Sequence, residues 1–360
     1  MSELNNRDRF LRTMRYQPVD HPPLIVPAPW PTARKRWEAE GLPEGVDLYD
    51  YFELPQLKNV QLKLETVLYP PFQETIIEET DEFVIKVNRD GVKEKNFRNG
   101  ASMPEFIEYP IKGLESLDWL REKLNPETPG RFTIDWLEQA KKAQADGALL
   151  LLNGGMYFGF LNERMGTEAL MMTYFDAPEF IHEVNELQCT LCERALTEAI
   201  GKIQIDFIGY HEDMAYKNGS MISMNMFREF MTPYYRRIEK IVRPAGIDLQ
   251  MLDCDGNIWE LIPLWLELGI NILCPMEVAA GMDVVALRRE FGKDLLMLGG
   301  FDKRILAAGK KEIELELERL RPVIEGGGYI PTIDHGTPPD VSLTNVCHYV
   351  QCLKTMFGIS

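Results

Sequence analysis

The 360-residue chain lacks a surplus of positive charge, since 39 Lys and Arg oppose 56 Asp and Glu for a formal net charge of −17. Nucleic acids and anionic membranes bind basic patches, so this balance argues against both as partners. Residues 1–20 lack the apolar run of a signal peptide, and the most apolar stretch, GALLLLNGGMYFGFL, is too short and glycine-interrupted to cross a bilayer. We therefore expect a cytoplasmic protein.

The sequence also lacks the paired cysteines of a zinc finger. Of its six cysteines, only Cys189 and Cys192 have a redox-like or metal-like spacing, and no second pair follows at finger-like distance. Both lie within the helical pattern APEFIHEVNELQCTLCERALTEAI. We expect them to be reduced thiols buried on one helix face.

A glycine-rich phosphate loop is missing as well, which disfavours an open, doubly wound sheet, the alternative fold. Instead, six short apolar runs alternate with amphipathic helical patterns from residue 147 onward, at 147–155, 205–213, 247–256, 270–278, 295–302 and 327–336. A further run, PLIVPA, lies at 23–28. Buried parallel strands covered by helices predict an α/β fold, a TIM (β/α)8 barrel.

Residues 64–100 interrupt this alternation. Their β-branched residues and an Arg-Asp-Gly turn predict a hairpin insertion, part of an N-terminal helical and hairpin elaboration. No internal repeat or flexible linker is visible, so residues 1–360 are expected to form a single domain.

Acids and histidines follow nearly every predicted barrel strand. Because the carboxyl ends of barrel strands surround the active site, these side chains are the candidate site. They are Asn153, His211, Glu212, Asp213, Asp253, Cys254, Asp255, Glu277, Asp302, Asp334 and His335. Helix capping explains some of them, and Asp302 in particular could be either a cap or a site residue.

Imidazole and carboxylate together suit Zn²⁺ or a related ion. Asp253 and Asp255 are two apart on a strand end and share a face, while His335 comes from the last strand. Alternation turns Cys254 away from the acids, although a one-residue bulge would exchange them. A metal-free carboxylate cluster that binds a cationic or hydroxylated substrate is the alternative.

Several long segments resemble the uroporphyrinogen decarboxylase superfamily across the whole chain, most strongly at 205–350. They include NRDRFLRTMRYQPVDHPPL, HEDMAYKNGSMISMNMFREFMTPYYRRI, LGGFDKR and GGYIPTIDHGTPPDVSLTNV. The resemblance implies a distorted TIM barrel with its active site in the mouth. Decarboxylases of that superfamily carry an RQAGR motif, which is absent from the matching segment VPAPWPTARKRW.

The other branch is the corrinoid-dependent methyltransferases, where thiol-specific members bind zinc through HxCGN and GCG motifs. Here DCDGN and DHG stand in those places, which puts Asp253, Asp255 and His335 at the ligand positions, with Cys254 between the two acids. Weaker donors than thiolates would leave a more electrophilic ion, suited to activating an ether or hydroxyl oxygen. This resemblance implies an O-demethylase-like methyltransferase.

The hypothesis is methyl transfer from a small methylated donor, such as a methoxylated aromatic, to the cobalt of a separate corrinoid protein. The cofactors would be zinc and the partner's cobalamin. Glu212 would be a fourth ligand or general acid beside His211 and Asp213, and the expected substrate-binding residues are Asn153, Glu277, Asp302 and Asp334. A decarboxylase of uroporphyrinogen or a smaller carboxylate, and a non-catalytic ligand-binding relative, stay as alternatives. A homodimer is left open.

Overall fold

The computed structural model describes residues 4–98, 100 and 103–359. The strands are β1 (Asn59–Gln61), β2 (Thr75–Glu79), β3 (Phe83–Val87), β4 (Lys93–Phe97), β5 (Glu105–Glu108), β6 (Leu149–Asn153), β7 (Phe207–His211), β8 (Ala215–Tyr216), β9 (Gly219–Ser220), β10 (Gln250–Asp253), β11 (Ile272–Cys274), β12 (Leu296–Phe301) and β13 (Tyr329–Ile333).

The α-helices are α1 (Asn6–Met14), α2 (Pro31–Ala39), α3 (Leu48–Tyr51), α4 (Leu117–Lys123), α5 (Trp136–Ala145), α6 (Gly159–Met165), α7 (Thr167–Asp176), α8 (Pro178–Ala199), α9 (Met224–Phe230), α10 (Thr232–Val242), α11 (Ile262–Leu266), α12 (Val284–Phe291), α13 (Lys303–Ala308), α14 (Lys310–Glu325) and α15 (Leu343–Phe357). Single-turn 3₁₀ helices span Leu114–Ser116 and Val278–Ala280.

Seven parallel strands form a curled sheet in the order β1-β6-β7-β10-β11-β12-β13, which confirms the predicted TIM-barrel class. Each of the six apolar runs predicted from residue 147 onward contains one of these strands. The run at 23–28 does not form a regular strand. It leads into a parallel bridge between Pro29 and Thr337, next to which the Thr337 N–H donates to Ala28 O at 2.7 Å.

Helix α1 closes one end of the sheet. Its residues Phe10, Leu11 and Met14 share a buried cluster with the first residues of the strands, including Leu149 and Phe207. A separate, larger core lies between the strands and the surrounding helices. Because α1 fills the amino ends of the strands, the carboxyl ends are left as the open mouth of the barrel.

The predicted hairpin is present and is larger than expected. Strands β2 and β3 pair antiparallel, and β4 and β5 extend them to a four-stranded sheet. The turn before β4 is closed by Asn88, whose backbone N–H donates to Val92 O at 2.9 Å. Asp90 from this turn pairs with Arg164 at 2.8 Å, which ties the sheet to helix α6.

Two smaller expectations are also met. Cys189 and Cys192 are both fully buried in α8, as the helical pattern indicated. Within the described residues, no helix combines the length and the apolar character needed to cross a membrane.

Candidate active site

Three predicted residues meet at the carboxyl ends of the neighbouring strands β7 and β10. His211 and Asp253 are register partners, and their side chains approach to 3.4 Å between Nδ1 and Oδ1. On the other side of the imidazole, Nε2 lies 3.4 Å from Asp213 Oδ2. One donor atom from each residue lies within 4.8 Å of the other two. We call His211, Asp213 and Asp253 the mouth cluster.

A fourth group, Glu163, completes the surroundings of the imidazole. Its Oε1 lies 3.4 Å from His211 Nε2, and it comes from helix α6. Sequence reasoning missed Glu163 because only strand ends were searched. The helix that follows β6 begins beside the mouth, and inspecting its first turns would have identified this carboxylate.

The acids around His211 control its charge. Hydrogen bonds to Asp213, then Asp253, then Glu163 raise the pKa of His211 to about 12. Burial alone would raise the pKa of Asp213, but hydrogen bonds from His211 and from the Asp255 N–H lower it overall. Without a metal, the cluster therefore contains an imidazolium held by carboxylates.

The spacing of the mouth cluster also fits a metal ion. Zinc binds nitrogen and oxygen ligands at ~2.0–2.2 Å, so neighbouring donors around a tetrahedral ion lie roughly 3.3–3.5 Å apart. The 3.4 Å separation between His211 Nε2 and Asp213 Oδ2 matches that spacing. Asp253 approaches the other ring nitrogen, Nδ1, so an ion bound at Nε2 requires the Asp253 carboxylate to turn toward it from within the 4.8 Å that separates the three donors. The three side chains retain exposures of 42%, 39% and 48%, which leaves room for a further ligand.

Asp213 is held in an unusual backbone conformation, with a φ of 41°. Left-handed conformations of residues other than glycine cost on the order of 1–3 kcal/mol and concentrate at functional sites. The conformation lets Asp213 Oδ1 accept the Asp255 N–H at 3.0 Å while Oδ2 contacts His211. Asp213 thereby links β7 to the turn after β10.

The expected grouping of Asp253, Asp255 and His335 in one sphere is not what the structure shows. Asp255 turns to His335 instead, with Oδ1 2.9 Å from Nε2, and this hydrogen bond raises the pKa of His335. β10 ends at Asp253, so Asp255 lies beyond the strand in a turn where its N–H donates to Asp213 Oδ1 at 3.0 Å. Gly256 continues this turn with a φ of 85°, and a Cβ there would lie 2.5 Å from Ala215 O. Asp253 and Asp255 therefore reach different histidines.

Cys254 lies on the other side of β10. Its side chain is buried, and Sγ accepts the Met214 N–H at 3.3 Å. The simple alternation of the strand therefore holds and no bulge exchanges Cys254 with its neighbours. The thiol is outside the mouth cluster, and burial raises its pKa well above the usual range.

Glu212 is also buried, and four donors converge on its carboxylate. Oε1 accepts the Tyr157 N–H at 2.8 Å and the Tyr235 hydroxyl, while Oε2 accepts the N–H groups of Phe158 and Gly159 at 2.7 and 2.8 Å. These contacts fix the start of α6, the helix that carries Glu163. The geometry thus favours a positioning role for Glu212 over the general-acid role expected from sequence.

The expected substrate residues Asn153 and Glu277 accept backbone hydrogen bonds in loops. Asn153 Oδ1 accepts the Gly155 N–H at 2.8 Å. Glu277 Oε2 accepts the Gly256 N–H at 2.9 Å, which stabilises the bend after β10. Both side chains are partly exposed, so each has an oxygen or amide group left to contact a ligand.

Asp302 and Asp334 differ in how completely they are paired. Asp302 caps α13 by accepting the Arg304 N–H at 2.8 Å and also binds the Arg304 guanidinium, which gives it the capping role. Asp334 is completely buried, and its Oδ2 accepts the Val278 N–H at 3.1 Å. Its Oδ1 has no hydrogen-bond partner within the described residues and lies 3.8 Å from Lys303 Nζ.

An apolar cavity of about 260 Å³ runs from α1 to the mouth cluster. Its lining is Phe10, Ile25, Tyr49, Leu57, Asn59, Phe207, Met251, Asp253, Cys274 and Leu298. Asp253 is its only acidic lining residue within the described residues, so the negative charge lies at one end of the cavity. A larger cavity of about 740 Å³ lies around Arg15 and Asp248, at the opposite end of the strands.

Comparison with known proteins shows a match between residues 96–356 and the family model for uroporphyrinogen decarboxylase (URO-D). A uroporphyrinogen decarboxylase from Maricaulis maris (strain MCS10) is 28% identical over 112 residues, which span 31% of this chain and 32% of the relative. The matched part is thus about a third of that relative's length.

A solved methyltransferase from Methanosarcina mazei has a similar fold. The TM-score is 0.59 at 16% sequence identity, with 98% of this chain and 99% of the other covered. This likeness extends the shared architecture beyond the family match to nearly the whole chain. Together with the match over residues 96–356, it leads to one assignment: the chain belongs to the uroporphyrinogen decarboxylase (URO-D) family.

Proposed function

We propose that this protein is a methyltransferase that moves a methyl group from a small methylated oxygen donor, such as a methoxylated aromatic, to the cobalt of a separate corrinoid protein. The observation that carries the proposal is the mouth cluster of His211, Asp213 and Asp253 at the end of an apolar cavity. The fold is shared with a methyltransferase, which supports the same proposal.

The cavity suits the donor's ring. Phe207, Met251 and Leu298 offer apolar walls, so burial of an aromatic ring is favourable by roughly 25 cal/mol per Å² of apolar surface. Asp253 at the rim then lies beside the ring's oxygen substituent. This arrangement positions the methyl group toward the open mouth, where an acceptor protein can reach it.

The reaction needs help at the leaving oxygen. The methyl carbon accepts an electron pair from Co(I) of the acceptor, the C–O bond breaks, and its electron pair stays on oxygen as a phenolate. His211, Asp213 and Asp253 would hold a zinc ion, which when bound supplies Lewis-acid stabilisation of that negative charge. In a metal-free protein, the positive charge of the His211 imidazolium would stabilise the phenolate without giving up its proton, because its pKa of about 12 lies above the value of ~10 for a phenol.

The acceptor is expected to be a separate protein. The 360 residues contain no D-x-H-x-x-G corrinoid-binding signature. The four-stranded sheet β2–β5 lies beside the mouth through the Asp90–Arg164 pair, next to Glu163, and leaves Ile76 and Phe106 60% and 48% exposed. We include this sheet in the docking surface for the corrinoid protein.

The test uses the purified protein, a panel of methoxylated benzenes and free cob(I)alamin as acceptor. We expect loss of the Co(I) absorbance together with release of the matching phenol, and loss of both in His211→Ala and Asp253→Ala. Asp248→Asn, at the opposite end of β10, is the matched control and should be as active as the wild type. Phenol release that is equal in all four proteins would refute the proposal.

The second candidate is decarboxylation, favoured by the sequence match to a uroporphyrinogen decarboxylase. The cluster of acids at the mouth opposes it, because a substrate rich in carboxylates would be repelled at close range. Release of CO₂ from uroporphyrinogen would establish this activity. Binding of a ligand without turnover would instead indicate a non-catalytic relative.

A further inference from the structure

A second group of metal-binding side chains lies outside the barrel, between helices α14 and α15. His348 and Cys352 are four residues apart on α15, so they share one face of that helix. Glu314 faces them from α14. Its Oε1 lies 2.8 Å from His348 Nε2, and Cys352 Sγ lies 3.5 Å from the same nitrogen. One donor atom from each residue lies within 4.8 Å of the others.

We propose that Glu314, His348 and Cys352 form a Zn²⁺ site that joins α14 to α15. Thiolate, imidazole and carboxylate are the ligand types of zinc, whereas Ca²⁺ and Mg²⁺ select all-oxygen sites. This site is independent of the chemistry at the mouth. Its function is to cross-link two neighbouring helices of the outer layer.

The geometry needs little adjustment. With zinc–sulfur and zinc–nitrogen distances of ~2.3 and ~2.0–2.1 Å, tetrahedral ligands lie roughly 3.5 Å apart. The separation between Cys352 Sγ and His348 Nε2 is 3.5 Å. Glu314 must withdraw by about half an ångström to reach the corresponding N···O spacing of ~3.3 Å. Its side chain is 57% exposed and free to do so.

The surroundings offer room and negative charge. The three residues line an open cavity of about 400 Å³, which can hold the ion and a water molecule as fourth ligand. Among the described residues that line this cavity, the one cation is Arg321, which is paired with Glu318 and lies 3.7 Å from Glu325. Its charge is therefore compensated, and the acidic surface attracts a divalent ion.

Cobalt substitution distinguishes this site from the mouth. Co²⁺ bound to a thiolate absorbs in the near ultraviolet through charge transfer from sulfur. We expect this band in the full-length wild type and in the matched control Cys347→Ser, which alters a partly exposed thiol on the same helix. Cys352→Ser should lose the band. Retention of the band in Cys352→Ser would overturn the proposal.

Zinc affinity and the protection of Cys352 from alkylation give a second test of the site. Zinc binding is measured against a competing chelator in Asp253→Ala, which removes the mouth cluster. Adding His348→Ala should weaken the remaining zinc binding by more than about 10-fold, the smallest effect expected even of groups that only orient ligands. Zinc should also slow alkylation of Cys352 but not of Cys347. Equal alkylation of Cys352 with and without zinc would contradict the site.

Discussion

The ends of β7 and β10 present two faces that differ in how their polar groups are paired. The open face carries His211, Asp213, Asp253 and Asp255, whose side chains keep between 39% and 48% of their surface exposed. The packed face carries Glu212 and Cys254, both essentially buried. These residues alternate along the same two segments, so one strand end supplies both reactive groups and the contacts that hold them.

The hydrogen bonds of Glu212 on the packed face are shorter than the contacts of His211 on the open face. Glu212 accepts hydrogen bonds of 2.7–2.8 Å from three backbone N–H groups, which are ideal distances for its carboxylate. His211 makes only 3.4 Å approaches to its three carboxylates. The packed face is therefore complete by itself, whereas the contacts of His211 on the open face are longer and its side chain is 42% exposed, which leaves it accessible to a further ligand.

The largest effect is expected from the open face. Under the proposed methyl transfer, His211→Ala and Asp253→Ala should reduce turnover by at least ~10²-fold, the scale of losing one group that stabilises developing charge. Bound zinc should fall in parallel, while thermal unfolding stays close to that of the wild type. Assays of turnover, metal content and melting on the same preparations check this. Full activity in either variant would mean that the open face has a structural role and none in catalysis.

The packed face should respond in the opposite way. Glu212→Gln places an NH₂ group among backbone N–H donors, so we expect a loss of about 3 kcal/mol in the free energy of unfolding. Urea denaturation measures it, with Glu163→Gln as a control that should change stability by less than ~0.5 kcal/mol.

The same variant also tests the role expected of Glu212 from sequence. If Glu212→Gln were as stable as the wild type but inactive, Glu212 would act in catalysis and the distinction between the faces would fail. Zinc content and melting temperature must therefore be measured beside turnover, since an unstable variant loses activity for a different reason.

Much of this arrangement was predictable from the chain. The strand-end positions of His211 and Asp253 followed from the apolar runs before them, because parallel strands buried on both faces have nearly continuous apolar sequences. Strand β1 was missed because it has three residues, Asn59–Gln61, two of them exposed. Such a short segment carries no periodicity.

The grouping of the acids was not predictable, because turns decide it. The left-handed turn at Asp213 and the turn after β10 leave Asp253 beside His211 and Asp255 beside His335. Neither turn is specified by spacing along the strand. Glu163 joined the cluster through a helix start that the buried Glu212 holds in place, a contact between residues distant in sequence.

A smaller effect is the difference in zinc content expected between variants of Asp253 and Asp255 on the open face. Because Asp255 pairs with His335 and not with His211, we expect Asp255→Ala to keep zinc within about twofold of the wild type, while Asp253→Ala loses it. Elemental analysis of both variants decides this. Equal loss of metal would instead support a coordination sphere of Asp253, Asp255 and His335.

The smallest expected effect concerns an ion pair outside the mouth, which serves as a reference for how much charge contributes to stability. The Arg9 guanidinium donates to Asp20 and lowers the pKa of that carboxyl to about 2. A depressed folded-state pKa stabilises the protein above the unfolded-state pKa near 4, and this stability is lost as the pH falls toward 2. Since the Asp20 side chain is 44% exposed, screening limits the contribution to about 1 kcal/mol.

Asp20→Asn should therefore unfold more easily than the wild type at pH 6, and the difference should shrink as the pH falls toward 2.5. Urea titrations at several pH values measure the two free energies of unfolding. Asp8→Asn is the control, because Asp8 lies 3.9 Å from Arg7, beyond hydrogen-bond distance. If the difference in the free energy of unfolding between Asp20→Asn and the wild type does not vary with pH, the pair stabilises the protein through packing. Charge alone would then not be enough to rank the 3.4 Å contacts of the open face.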